Sequence, residues 1–414
     1  MTLKALNELM ASVYLVEDQN FLKLVLAVVV SARIPTTPAW LMVVGPPGSG
    51  KTEWLNAIKD CWGITPISSL TTSTLISGMS KKGTQSSLLL RMPAYGGILL
   101  FKDFTSILSL YADARAVIVA TLREIHDGAV SKPFGTGETV AWKGRMGLLA
   151  AVTDTIYTSQ EQIAAMGQRF LTYQPLVGNR YDVTMRALTN STNGMTERRA
   201  EIASAVKNYL DVEMDVFIRM YNKNDLPDPP QDFLEDVASL AELATRARSA
   251  VKRDTYSKDH HIIFSHTPEM PTRLAEQLIS LTVAFMIINQ RERNEAGLSD
   301  EPILLSEDRQ LIFRLALDCI PTPRRDLLRR LTKHYMASAY ALATDMNMPY
   351  ATIKSWLEEL NVLGVIDAKK YEDGKISWYL NTSYRALLSK FLGIEKLDKE
   401  MDEPEREVES LPNF

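Results

Sequence analysis

The chain has 414 residues, enough for two to four domains, and its 46% hydrophobic and 23% charged residues are the balance of ordinary globular proteins. Two cysteines, Cys61 and Cys319, exclude a disulfide framework and a cysteine-rich zinc site, and they predict a protein of the reducing cytoplasm. The net charge of -4 speaks against nucleic acid as a partner of the whole surface, but residues 395–414 hold eight acids against three bases and leave the remainder at +1, so any DNA contact must come from local patches.

Residues 1–38 read as a helical N-terminal segment. Their most apolar run, Phe21 to Val30, holds Lys23 and is too short to span a bilayer, so it predicts a buried helix and no membrane association. Trp40 to Val44 is a short apolar run entering a glycine loop, the pattern of a buried parallel strand. The loop, Gly45-Pro46-Pro47-Gly48-Ser49-Gly50-Lys51-Thr52, is a complete Walker A sequence. Trp54, Leu55 and Ile58 then fall at helical spacing and predict a helix from Lys51 to Cys61. Strand, loop and helix are the context in which backbone N–H groups cradle phosphates, a lysine meets the β- and γ-phosphates, and a threonine hydroxyl ligates Mg²⁺. ATP and Mg²⁺ are the expected ligands.

Gly97 to Phe101 and Gly147 to Val152 read as further buried strands. Strands alternating with helices predict an α/β core with a parallel sheet over residues 39–183. Asp103 follows the first of these strands, at the end that would face a nucleotide. Lys102 stands where an acid pair usually begins, so Asp103 is the one carboxylate this stretch offers for metal and water. Beyond about Thr184, Met195 to Asn222 and Asp232 to Lys252 have helical patterns, separated by a Pro- and Asp-rich break, and predict a helical lid domain over 184–293. Residues 294–307 read as a linker, 308–394 as a third domain, and 395–414 as an acidic disordered tail. His260, His261 and His266 lie in a polar stretch without partner cysteines and read as a solvated loop rather than a metal site.

In the third domain, Ala337 to Leu380 has the pattern of a C-terminal winged helix-turn-helix. A short helix, Ser338 to Asp345, is followed by a turn at Met346, Asn347 and Met348. The next helix starts at Pro349, with Ile353, Trp356, Leu357 and Leu360 inward and Tyr350, Thr352, Lys354 and Ser355 outward. A hairpin of Val365 to Ala368 and Ile376 to Leu380 carries Lys369, Lys370 and Lys375. Upstream, Arg324, Arg325, Arg329, Arg330 and Lys333 share one helix. Arg324, Arg325, Lys354, Lys369 and Lys370 are the expected DNA-binding residues, with protein contact as the alternative reading.

The order of these segments resembles AAA+ P-loop ATPases, and among them the minichromosome maintenance replicative helicases and related helicase-like ATPases of phages and mobile elements. Gly96 to Phe104 resembles the family's Walker B strand. Arg123-Glu124-Ile125-His126-Asp127-Gly128 is similar to the helix before the pre-sensor hairpin. Val130 to Trp142 would then be that hairpin, with Lys132 and Lys143 as its DNA-binding cations. Leu148 to Asp154 resembles the sensor-1 strand and would bring Thr153 to the γ-phosphate or the attacking water. Gln168-Arg169-Phe170 resembles the arginine-finger motif, and Pro271-Thr272-Arg273-Leu274 resembles sensor 2. The resemblance covers Trp40 to Asn289, the motor, since the forty or so residues before the loop hold no zinc-bearing DNA-binding module. It implies a homo-oligomer, expected to be a hexameric ring, that hydrolyses ATP at subunit interfaces and moves or remodels DNA. The acidic tail itself reads as flexible, with a docking peptide for a replication protein as the alternative reading. The alternatives are an ATP-sensing DNA-binding regulator or helicase loader, and a defence or interaction NTPase whose winged helix binds protein.

Overall fold

The computed structural model describes residues 1–14, 17–77, 87–135, 137–159, 169–191, 194–222, 225–254, 257, 260–265 and 267–394. Gln168, His266 and the acidic tail from 395 onward therefore lie outside the described residues. The chain forms two compact units. The first comprises Met1–Ala238 and Pro271–Cys319, the second Ser239–Met270 and Ile320–Phe414.

The first unit is an α/β structure around a five-stranded parallel sheet in the order β2-β3-β6-β1-β7. Its strands are β1 (Trp40–Val44), β2 (Ile64–Ile67), β3 (Tyr95–Phe101), β6 (Arg145–Val152) and β7 (Leu171–Tyr173). Every residue of β1 is buried, as expected of a parallel strand covered on both faces. β6 separates β1 from β3, with Val44 opposite Val152 and Phe101 opposite Ala150. β7 lies on the other side of β1, with Leu41 opposite Leu171.

Helices α1 (Leu3–Val13) and α2 (Asn20–Arg33) belong to this unit rather than to a separate N-terminal segment. α2 is apolar all round and almost wholly buried, as its sequence predicts. Lys23 within it is 6% exposed and is neutralised by an ion pair with the buried Asp308, which also accepts from Asn289 Nδ2 (2.7 Å). No helix among the described residues is long and apolar enough to cross a membrane. The phosphate-loop helix α3 runs Lys51–Ile58, shorter than expected because Lys59 closes it. α4 (Ala112–His126) leads into an antiparallel hairpin of β4 (Ala129–Pro133) and β5 (Thr139–Lys143), anchored in the core by Val130 and Trp142.

The expected helical lid is divided. Helices Arg180–Ser191, Met195–Asn208 and Met214–Tyr221 lie in the first unit, as does α5 (Thr272–Glu295), while the antiparallel strands β8 (Val251–Arg253) and β9 (Ile262–Ser265) lie in the second. α6 (Ser306–Asp318), which the sequence pattern assigns to the third domain, belongs to the first unit. Thr172 Oγ1 donates to the Asp318 carbonyl at 2.5 Å, and the Gln174 N–H donates to Asp318 Oδ2 at 2.9 Å.

In the second unit, α7 (Thr322–Lys333) precedes α8 (Ala339–Met346) and α9 (Tyr350–Val362). Ser338 caps α8, its Oγ accepting from the Ala341 N–H at 3.1 Å, and Asn347 ends it in the left-handed region at φ 50°. β10 (Ala337–Ser338), β11 (Ile366–Lys370) and β12 (Ile376–Leu380) form an antiparallel sheet in the order β10-β12-β11. Ile353, Leu357 and Leu360 face inward from α9 as expected. Trp356, expected with them, is only half-buried, as are Thr352 and Ser355 on the face expected outward.

Candidate functional site

The phosphate loop joins the C-terminal end of β1 to the first turn of α3. Gly48 and Gly50 sit at φ 79° and 80°, a region that side chains rarely adopt. Gly45 is needed for space, since a Cβ there would stand 3.3 Å from Ser49 Oγ and 3.6 Å from Lys51 Cδ. Lys51 Nζ folds back over the loop and donates to the carbonyls of Gly45 (2.6 Å) and Pro46 (2.7 Å) and to Ser49 Oγ (3.2 Å). Burial lowers the Lys51 pKa, opposed by Asp154 and then by Asp103. Pro46, Pro47 and Gly48 are exposed, as is Thr52 at the start of the helix. The loop is shaped to receive an anion at a helix N-terminus, with a lysine already gathered to it.

Hydrogen bonds stitch the loops beyond β3 and β6 to the same floor. The Gly45 N–H donates to the Val152 carbonyl (3.2 Å), and the Phe104 N–H donates to that of Ala151 (2.8 Å). Thr153 N–H donates to Thr105 Oγ1 at 3.3 Å, and the two threonine hydroxyls also lie 3.3 Å apart. Asp103 is exposed, with Oδ1 accepting from the Thr105 N–H at 2.9 Å. Thr52 and Asp103 thus face solvent beside the loop, and the donor set suits a hard cation. Asp103 is not the one carboxylate here. Asp154 acts on Lys51 ahead of it, and the sequence pattern hides it because it belongs to the segment after β6, far from Asp103 in the chain.

A cleft of about 450 Å³ opens from Gly48 to Lys51. Tyr14, Phe21, Trp54, Leu176, Val183 and Arg199 are among the residues lining it. On its wall, Glu53 accepts from Tyr14 Oη (2.9 Å) and from Arg199 Nε (2.9 Å) and Nη2 (2.8 Å). Burial is the largest cause raising the Tyr14 pKa, to about 12, so its hydroxyl stays a donor. The volume and mixed lining suit a nucleoside beside the phosphate site.

The candidate arginines lie elsewhere. Leu171 pairs with Leu41, so Arg169 stands beside the N-terminal end of β1, six residues and about 20 Å from Gly45. Arg169 is 6% exposed and forks onto Asp127, with Nη2 2.8 Å from Oδ2 and Nε 3.2 Å from Oδ1. Gln277 of α5 ties this end together: its Nε2 donates to the Arg169 carbonyl (2.9 Å) and its Oε1 accepts from the Trp40 N–H (2.8 Å). Arg273 is exposed one helical turn before Gln277, and its charge acts on His126 next to Asp127. Arg169 and Arg273 therefore share one end of the sheet, and Lys51, Asp103 and Thr153 share the other. Arg273, in the segment that resembles sensor 2, thus lies towards the end of the sheet away from the chain's own loop.

The hairpin separates its two lysines. Lys132 pairs with Val140 towards the tip and lies over the Phe134 ring at 5.5 Å, on the face that buries Val130 and Trp142. Lys143 pairs with Ala129 at the base, on the opposite, exposed face. A scan against models of protein families matches none, and a comparison with curated proteins also gives no match.

In the second unit the basic helix is a correction. Arg324 is 5% exposed and Arg325 6%. Arg324 donates to the carbonyls of Ala247 (2.8 Å) and Ser249 (2.7 Å) and to Glu359 Oε2 (2.8 Å), so it binds the unit's own chain rather than phosphate. Arg325 is buried for the same reason: α7 turns this flank inward. Arg330 pairs with Asp345 at 2.5 Å. On α9, Lys354 is exposed near Glu358 (3.9 Å), while Arg253 of β8 binds Glu358, Glu359 and the Ser355 carbonyl. Lys369 and Lys370 are exposed on β11, with Lys369 5.0 Å from the Tyr371 ring centroid. Lys354, Lys369 and Lys370 are the members of the expected DNA-binding set in this unit that face solvent.

Proposed function

We propose that this chain is one subunit of an oligomeric, ATP-hydrolysing DNA motor of the AAA+ helicase-like type, with the second unit serving as a winged-helix module. The observation that carries the reading is the division of phosphate-directed groups between the two ends of β1. Gly45 to Thr52 form a loop suited to a triphosphate, yet Arg169 stands about 20 Å from that loop and Arg273 lies towards the same far end. Arginines so placed can neutralise the charge of a phosphoryl transfer only on another subunit's nucleotide, so each working site needs two chains.

Within one chain, the loop N–H groups and Lys51 hold the β- and γ-phosphates. Thr52 and Asp103 would hold Mg²⁺, whose charge would offset that of the phosphates. Thr153, fixed by Thr105, is placed to orient the attacking water, and Asp154 is a second carboxylate for that water or for Lys51. Arg169 from the neighbour completes the site. The hairpin Ala129–Lys143 begins two residues after Asp127, which holds Arg169, so the arginine's partner and the DNA-directed hairpin are neighbours in the chain.

The reading is tested by measuring ATP turnover and strand displacement with single-stranded, forked and duplex DNA over a range of protein concentrations. Turnover that rises steeply with concentration, is stimulated by DNA and is accompanied by unwinding supports it. Turnover proportional to protein down to the monomer would sink it.

One observation favours a second reading, an ATP-sensing DNA-binding regulator or loader. The hairpin lysines lie on opposite faces, and Lys132 is occupied by Phe134, which leaves little cationic surface for tracking a strand. Site-specific duplex binding with negligible turnover in the same assay identifies that function.

A further inference from the structure

His126 ends α4 at the foot of the hairpin. Its side chain is 6% exposed, its ring meets Trp40 edge-on at 5.1 Å, Nε2 has no hydrogen-bond partner, and Nδ1 makes only a long 3.5 Å contact with Asp127 Oδ1. A buried imidazole left in this state is costly and calls for a use. The charged groups facing it come from three places. Asp127 follows it on its own helix end, with Oδ1 3.5 Å from Nδ1. Arg169 comes from the segment before β7, and Arg273 from α5. Trp40 of β1 contributes only its ring.

Asp127 is therefore within reach of both the Arg169 guanidinium and the neutral His126 ring, and Arg169 now holds both of its oxygens. We propose that His126 is a positioning residue for Arg169: when Arg169 leaves Asp127 for a neighbouring subunit's phosphates, His126 takes a proton from solvent and replaces it on Asp127. The exchange balances, because a guanidinium departs, an imidazolium forms, and Asp127 stays ionised throughout. It turns the long Nδ1 contact into an ion pair and keeps a counter-charge on Asp127. In the resting arrangement burial, and then Arg169, lower the His126 pKa to about 4, so the ring is neutral while the arginine is home. The inference rests on Arg169 acting in trans.

The test is the proton-NMR titration of the full-length protein, with the His126 resonance assigned by its loss in His126→Gln. The wild-type ring should remain neutral down to about pH 4. In Arg169→Gln its midpoint should rise clearly, because one of the two main causes of the lowering is removed while the burial remains. Adding Asp127→Asn should bring it down again. Equal midpoints in wild type and Arg169→Gln would overturn the proposal. Should Arg169→Gln not fold, proton uptake on assembly of the wild type with ADP and aluminium fluoride, read in weakly buffered solution, decides the matter. Uptake that is lost in His126→Gln supports the exchange, and equal uptake in both overturns it. An Arg169→Ala protein with undiminished turnover would instead remove the trans-acting arginine and leave the histidine titration standing, so the two failures are distinguishable.

Discussion

The two ends of β1 are built on opposite principles. At its C-terminal end Thr52 and Asp103 are exposed and Gly48 and Gly50 already hold left-handed backbone, while Lys51 is itself buried against the carbonyls of Gly45 and Pro46. At its N-terminal end Arg169 is buried, forked onto Asp127, and packed beside the His126 imidazole. Binding machinery can stand ready because water solvates it until the ligand arrives. An arginine left open would attract any anion, and the pairing of Arg169 with Asp127 must be broken before it can meet another. In the proposed reading, the groups that would bind nucleotide and the arginine that would activate it therefore lie at separate ends of one strand.

The largest expected effect tests that separation directly. Arg169→Ala should lower turnover of the assembled protein by about 10³-fold, the usual loss for a trans-acting arginine, while leaving nucleotide affinity nearly unchanged. Stopped turnover together with lost affinity, measured by titration with a fluorescent nucleotide, would break the comparison. Lys51→Ala should lower affinity and turnover together, weakening nucleotide binding by about 100-fold, since two charge-assisted hydrogen bonds are worth about 3 kcal/mol together. Undiminished ATP turnover in this variant would remove the enzyme reading altogether. The smallest effect sharpens the open end. Asp154→Asn should reduce turnover less than either of these variants with little change in affinity, the loss of a secondary contribution to proton transfer or water placement. A loss as deep as that of Asp103→Asn would make Asp154 the principal carboxylate.

The parts of this molecule legible in its sequence are those encoded by neighbours in the chain. β1 ends where expected because five apolar residues run into a glycine loop, and Gly48 and Gly50 fix the loop's shape without outside help. The turn at Asn347 and the hairpin of β11 and β12 arise from the same local chemistry. The features that the sequence hid depend on partners far along the chain. Arg324 looks like a phosphate ligand until Ala247, Ser249 and Glu359 surround it. Asp154 looks like the tail of a strand until β6 is inserted between β1 and β3. β7 is only three residues long, too short for any periodicity to announce, yet its register places Arg169. The helix Ser306–Asp318 falls in a different unit from the one its sequence suggests because its ties to Thr172 and Gln174 span more than 140 residues.

Gln277 has a consequence for speed. By clamping the Arg169 carbonyl and the Trp40 N–H, it anchors the main chain on both sides of the strand pair while touching nothing of the guanidinium's bonds to Asp127. A change of partner at Arg169 then requires only rotations within one side chain. Rotations of that kind take nanoseconds or less when unhindered, whereas hinge and domain movements take microseconds to milliseconds. In the proposed exchange the arginine's departure would accordingly run ahead of hinge and domain movements, so the larger movements that come after it would set the tempo.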